Sequence, residues 1–280
     1  GSASVVNGKW SFSFYVPKNI NYSFGNGRIS YYAKENNNVD AGGVFTNIIV
    51  GGSSEKGLAD DLGPELDIFM NDESFVFGGM TNSDPILLLN LSDDFGINVT
   101  GNAVGQDITA ILDGDNQNIF ILNDFYEAEK DNFRKGKVRF PLNNLSKGTH
   151  NIVAKAWDIA GNSAEKRTEF LVAESGDDVL KHVLNYPNPF TTHTLFQFEH
   201  DLVNTELDIV VNIYTITGKL VKSVVQTKYS SGFRVNDIGW NGRDDFDSKL
   251  GRGIYLYKVS VHSKELNLTR ESSFEKLVIL

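Results

Sequence analysis

The apolar residues of this chain fall in short runs of β-branched and aromatic side chains, alternating or clustered, with Gly, Asn and Asp between the runs. That rhythm predicts β-strands throughout. Near the start, Trp10 to Val16 alternates and stops at Pro17. A second run from Arg28 to Ala33 follows Asn26-Gly27, a pair suited to the positive φ angles of a tight hairpin, and a third from Val44 to Val50 precedes Gly51-Gly52. Three or four strands are too few to close a sandwich. Residues 1–58 are therefore expected to form a partial β unit, completed by strands from upstream or packed on a neighbour.

Residues 51–63 are rich in Gly, Ser and Asp and read as a linker. After Pro64 come seven expected strands: Glu65 to Met70, Ile86 to Leu91, Ile108 to Leu112, Ile119 to Leu122, Gly136 to Phe140, His150 to Trp157 and Lys166 to Val172. That number and spacing predict an immunoglobulin-like β-sandwich over 63–174. Asp124 to Phe133 holds too few apolar residues for an amphipathic helix and reads as a loop with a short helical turn. The turn Asp158-Ile159-Ala160-Gly161-Asn162 resembles the closing turn of many bacterial Ig-like modules. A second polar stretch, 173–178, leads to a third unit over 180–280, again of short, regularly spaced strands. No period of 20–50 residues repeats, so the fold class is all-β, tandem immunoglobulin-like β-sandwiches, and not a solenoid.

Composition narrows the function. The 280 residues hold 26 Lys+Arg against 36 Asp+Glu, a net charge of −10, and no Cys. Without cysteine there is no disulfide scaffold, no thiolate zinc site and no cysteine nucleophile. The negative balance, which falls almost wholly in the first 175 residues, argues against nucleic acid as a partner. No run approaches the roughly 18 apolar residues of a membrane-spanning helix. Gly1 to Ser4 lacks the parts of a signal peptide, and Gly1-Ser2 looks like a vector scar, so the chain is expected to be a piece of a longer one.

Catalytic and metal motifs are weak. His150, His182, His193, His200 and His262 fall on strands or their edges without the i, i+4 spacing of zinc hydrolases, and no Gly-x-Ser-x-Gly elbow is present. No catalytic residue is assigned. Carboxylates gather at Asp93-Asp94, Asp107, Asp113 with Asp115, and Asp244-Asp245 with Asp247. Loops at one end of a sandwich can offer such oxygens to calcium, but none fits an EF-hand and solvated turns are the better reading, so no cofactor or metal is assigned. The Asn-x-Ser/Thr triplets at Asn21, Asn90, Asn98, Asn144 and Asn267 matter only on a glycosylating route.

The third unit carries the most specific pattern. Tyr186-Pro187-Asn188-Pro189-Phe190 is followed by alternating Thr194 to Phe198, Leu207 to Ile216, a turn at Gly218, Trp240 to Asp244, Gly253 to Val259 and the end, Phe274 to Leu280. The prolines give an extended approach that cannot join a central ladder. In order and spacing this resembles the C-terminal sorting domain of type IX secretion cargo, and more loosely the Ig-like domain of flagellar hook-capping proteins. Val16 to Ile20, Gly27 to Ala33, Gly63 to Asp72, Asp94 to Asn98, Leu112 to Gly114, Leu122 to Asp124 and His150 to Asp158 extend the likeness to the region after the catalytic domain of the PorU family of type IX sortases. Gly105-Gln106 departs from the Gly-His associated with that family, which weakens a metal or polar role there.

The resemblance implies a parent enzyme, a gingipain-like cysteine peptidase that removes cargo sorting domains and transfers cargo to anionic lipopolysaccharide. Its catalytic Cys and His would lie upstream, leaving this chain non-catalytic. It also implies docking on PorV, a barrel protein of the outer membrane, contact with other type IX components, and a place on the outer face of the outer membrane of a Gram-negative bacterium. The expected partner-binding residues are Leu277, Val278, Ile279 and Leu280, since a terminal apolar strand can add to an edge or enter a cavity. Tyr186, Pro187, Asn188, Pro189 and Phe190 are the second candidate, set against a role as rigid lead-in. The four tail residues have a bland alternative, completion of the sandwich core. A different class of function is a tandem Ig-like surface protein or adhesin exported with a cleavable sorting domain. A third reading is glycan stacking on Tyr31, Tyr32 and Tyr229.

Overall fold

The structure, a computed structural model, describes residues 1–18, 23–35, 39–52, 59–101, 105–172 and 180–280. Asn21 and most of the two expected linkers lie outside the described residues. Strands β1 (Gly25–Lys34) and β2 (Asp40–Val50) form a two-stranded antiparallel hairpin whose faces are largely exposed. Trp10 to Val16, expected as a strand, joins no ladder. Its alternation is used otherwise: the rings of Trp10 and Phe12, then Phe12 and Phe14, stack at 5.5 and 5.8 Å, and Trp10 meets Tyr31 of β1 at 5.4 Å. Tyr15 packs edge-on against Phe95 and Phe133 of the next unit.

The front sandwich comprises β3 (Glu65–Met70), β4 (Gly79–Thr81), β5 (Ile86–Ser92), β6 (Thr109–Leu112), β7 (Ile119–Ile121), β8 (Tyr126–Glu129), β9 (Asn132–Pro141), β10 (Gly148–Trp157) and β11 (Ser163–Val172). One sheet runs β3-β5-β9-β8, the other β4-β11-β10-β6-β7. The period of two sets the core: Leu66, Ile68 and Met70 face Leu87, Leu89 and Leu91 within one sheet, and Ile152, Ala154, Ala156 and Phe170 fill from the other. Each large side chain buried this way contributes about 1.5–3 kcal/mol before ordering costs.

Two of these strands differ from expectation. Tyr126–Glu129, expected inside a loop with a helical turn, is strand β8, preceded by a single 3₁₀ turn at Asn123–Phe125. Its apolar partner lies across the ladder, where Tyr126 covers Gly136; any Cβ there would meet the Tyr126 ring and come within 2.6 Å of the Glu127 carbonyl. A strand whose packing surface is a distant glycine gives no local apolar signal. Strand β4 is only Gly-Met-Thr, and parallel pairing with β11 holds it.

The rear sandwich comprises β12 (Lys181–Tyr186), β13 (Thr194–Glu199), β14 (Thr205–Thr215), β15 (Leu220–Ser230), β16 (Arg234–Trp240), β17 (Gly253–Ser263), β18 (Leu268–Glu271) and β19 (Glu275–Ile279). The sheets run β12-β13-β16 and β15-β14-β17-β18, with β19 also paired to β17. Phe196, Phe198, Ile209, Val211, Val259 and Tyr257 form the centre. Beside it a fully buried ion pair joins Arg270 Nε and Nη2 to the two oxygens of Asp201, each at 2.9 Å. The two sandwiches touch through Glu199, whose Oε2 accepts the Met80 amide and faces His182 Nδ1, both at 3.0 Å. Arg234 adds a bond to the Ser74 carbonyl.

Candidate partner-docking site

In sequence, Tyr186 to Phe190 and Leu277 to Leu280 look like separate candidates. The rear sandwich brings them together. β19 pairs on one side with β17, Ile254 opposite Val278 and Tyr255 opposite Leu277. Its other side is taken by the lead-in segment: Phe190 N donates to the Val278 carbonyl at 3.1 Å, and Leu280 N donates to the Phe190 carbonyl at 2.9 Å. Asn188 continues this ladder with its side chain, Nδ2 donating to the Lys276 carbonyl at 2.9 Å and Oδ1 accepting the Val278 amide at 3.0 Å. The two X-Pro bonds, Tyr186-Pro187 and Asn188-Pro189, are cis. Buried Asn185 and Thr194 brace the turn, Thr194 Oγ1 donating to the Pro187 carbonyl at 2.9 Å.

This arrangement sorts the candidates. Leu277 and Ile279 point inward and are wholly buried, as is Phe190, which meets the Trp240 ring at 5.6 Å. Val278 is half-buried on the outward face, and Leu280, Tyr186, Pro187, Asn188 and Pro189 are exposed. With both its edges hydrogen-bonded, β19 offers side chains and not an open backbone edge to a partner. Residues not singled out from sequence extend the outward face. Ile254 pairs with Val278, Leu256 pairs with Tyr214, and Tyr214 meets exposed Phe274 edge-on at 5.6 Å. The alternation of β17, with Tyr257, Val259 and Val261 inward, is the signal that places Ile254 and Leu256 outward. Beneath, burial and the neighbouring Glu275 charge hold the Tyr257 phenol above its ordinary range, so it stays neutral.

The histidines are each engaged locally. His150 bonds Asp113 and the Ser146 carbonyl, His182 bonds Glu199, His200 bonds Ser230, His193 bonds Thr192 and His262 bonds Thr269. Tyr31, Tyr32 and Tyr229 are exposed. Among the described residues no helix is long and apolar enough to cross a membrane.

No family model and no curated protein matches this chain. Among solved structures, it is similar to dimeric latent PorU from Porphyromonas gingivalis, 31% identical over 97% of this chain and 25% of that one, with a TM-score of 0.42. It is also similar to the Bacteroides ovatus mixed-linkage glucan utilization locus protein SGBP-B in complex with a mixed-linkage heptasaccharide, 11% identical over 100% of this chain and 68% of that one, with a TM-score of 0.30. This chain thus spans a quarter of the length of the PorU chain.

Proposed function

We propose that this chain is the non-catalytic C-terminal part of a PorU-like type IX secretion sortase and that it anchors the enzyme to the outer-membrane barrel protein PorV at the cell surface. The observation that carries the reading is the sequence likeness to PorU, 31% identity along 97% of the chain. The sorting-domain pattern of residues 186–280 accords with it. Peptidase and transfer chemistry, on cargo sorting domains and anionic lipopolysaccharide, then belongs to a Cys/His domain of the parent outside these residues, which contain no Cys.

Anchoring would run through the outward face of β19 and its neighbours. Ile254, Val278 and Leu280 form an apolar row beside the exposed Tyr186 turn. Covering such a row is favourable, at about 25 cal/mol per Å² of apolar surface removed from water, while the hydrogen-bonded edges keep it in register. A pull-down of the chain by detergent-solubilised PorV tests this, with Val278→Asp and Leu280→Asp as variants and Val225→Asp, exposed on β15, as control. Circular dichroism first establishes that all fold alike. Retention of the intact chain and control, with loss for the face variants, is the expected result. Failure of the folded intact chain to be retained would overturn the anchoring; equal retention of every variant would overturn this face as its seat.

A further inference from the structure

The front sandwich gathers three carboxylates at one end that the anchoring does not use. Asp60 lies in the segment leading into β3, Asp93 directly follows β5 and Asp158 directly follows β10, so the first two belong to one sheet and the third to the other. Ligand oxygens of all three lie within 4.8 Å of one another. Asp158 is fully buried. Its carboxylate is oriented by Asn162, whose backbone N donates to Oδ1 at 2.7 Å and whose Nδ2 donates to Oδ2 at 2.8 Å and to the Asp60 carbonyl at 2.9 Å. Asp93 Oδ1 takes the amides of Phe95 and Gly96. Asp60 Oδ1 takes the Leu62 amide, but Asp60 Oδ2 is sealed from solvent and has no hydrogen-bond partner.

We propose that Asp60, Asp93 and Asp158 form a calcium site that clips the two sheets of the front sandwich together beside its leading segment. Three negative groups this close repel one another. An orphaned buried carboxylate oxygen is costly unless something positive meets it. Around one ion at 2.3–2.6 Å, opposed oxygens stand about 4.6–5.2 Å apart, so oxygens within 4.8 Å of one another suit a common calcium. The donor set is all oxygen, which selects a hard cation over zinc or copper. Magnesium keeps several waters in a strict octahedron, whereas carboxylates from three separate loops, one wholly dehydrated, suit the larger and more adaptable ion.

The test uses the whole chain, stripped with EDTA, desalted and titrated with calcium chloride in a calorimeter while its melting temperature is followed in parallel. The expected result is one calcium per chain, with a dissociation constant of about 10⁻⁴–10⁻³ M as in extracellular modules, and a melting temperature that rises with calcium. Asp60→Asn, on the leading segment and outside the strands, should weaken calcium by about tenfold or more. Asp115→Asn, in a solvated turn, should leave it unchanged. Absence of calcium-dependent heat or melting shift in the intact chain at about 10 mM, tenfold above that range, overturns the site. Calcium binding that survives Asp60→Asn overturns the residues. An equal response to magnesium overturns the choice of ion.

Discussion

Val278 donates its backbone amide to the side-chain oxygen of Asn188 at 3.0 Å, a bond that spans 90 positions of sequence. With Nδ2 bound to the Lys276 carbonyl, the Asn188 amide group stands in for a peptide unit at the margin of the sheet. Asn188→Ala removes both bonds, each worth roughly 0.5–1.5 kcal/mol. The rear sandwich should lose about 1–2 kcal/mol in urea unfolding, and the Val278 amide should exchange with solvent faster. Asn188→Asp keeps the acceptor for Val278 but sets a carboxylate oxygen against the Lys276 carbonyl, so its loss should be at least that of Asn188→Ala.

The two buried histidines should give the two sandwiches opposite responses to acid. Burial works against charge on His150, but the Ser146 carbonyl and Asp113 outweigh it and raise its pKa above the ordinary value. That stabilisation is full below about pH 6.5 and is lost as pH rises through the folded value. His200 is the reverse: burial pushes it down to about 4 against Asp201 and the Leu202 backbone, and its Nδ1 has no partner. Its contribution is present above about pH 6.5 and fades as pH falls toward 4, a gap on the order of 3 kcal/mol. Hydrogen exchange at pH 7.5 and pH 5, corrected for intrinsic rates, should show the front sandwich gaining protection and the rear one losing it. Parallel changes in both would contradict this.

Arg270 and Asp201 are 2% and 4% exposed, so neither charge has water to fall back on. Asp201→Asn takes the negative charge from a bidentate pair with a buried guanidinium and should cost about 3–5 kcal/mol, read as a lower urea midpoint. The double variant Arg270→Met with Asp201→Leu should recover most of that loss, because replacing a buried pair by apolar residues is often neutral. Single and double variants falling alike would argue that shape, not charge balance, governs the site.

Strands with their own apolar alternation were legible from sequence: β3, Glu65–Met70, lies where its pattern puts it, and β10 and β11 follow suit. β8 was not, because what Tyr126 packs on is the bare backbone of Gly136. Trp10 to Val16 has a strand's pattern yet no ladder, since rings two apart can stack on one another as well as on a neighbour. At the candidate site both motifs were visible, but their union was not: a polar Asn carries it, and spacing says nothing of which distant backbone an amide side chain will meet. The three carboxylates of the front sandwich were equally hidden. Asp93 stands in the pair Asp93-Asp94 and Asp60 in Asp60-Asp61, but spacing links neither to the other nor to Asp158; the fold joins them.

The clasp between residues 188–190 and β19 also bears on the order in which the molecule can be made. A chain delivered from its N-terminal side, at a ribosome or through an export pore, presents β12 to β18 before residues 275–279 arrive. Until then part of β17 is an unpaired edge, the pocket for Leu277 and Ile279 is open, and Asn188 has nothing to hold. Such an edge is both a hazard and a handle, able to be met by another strand before its own comes. The module is thus competent for capture while it is being delivered and closes only when its last strand is through.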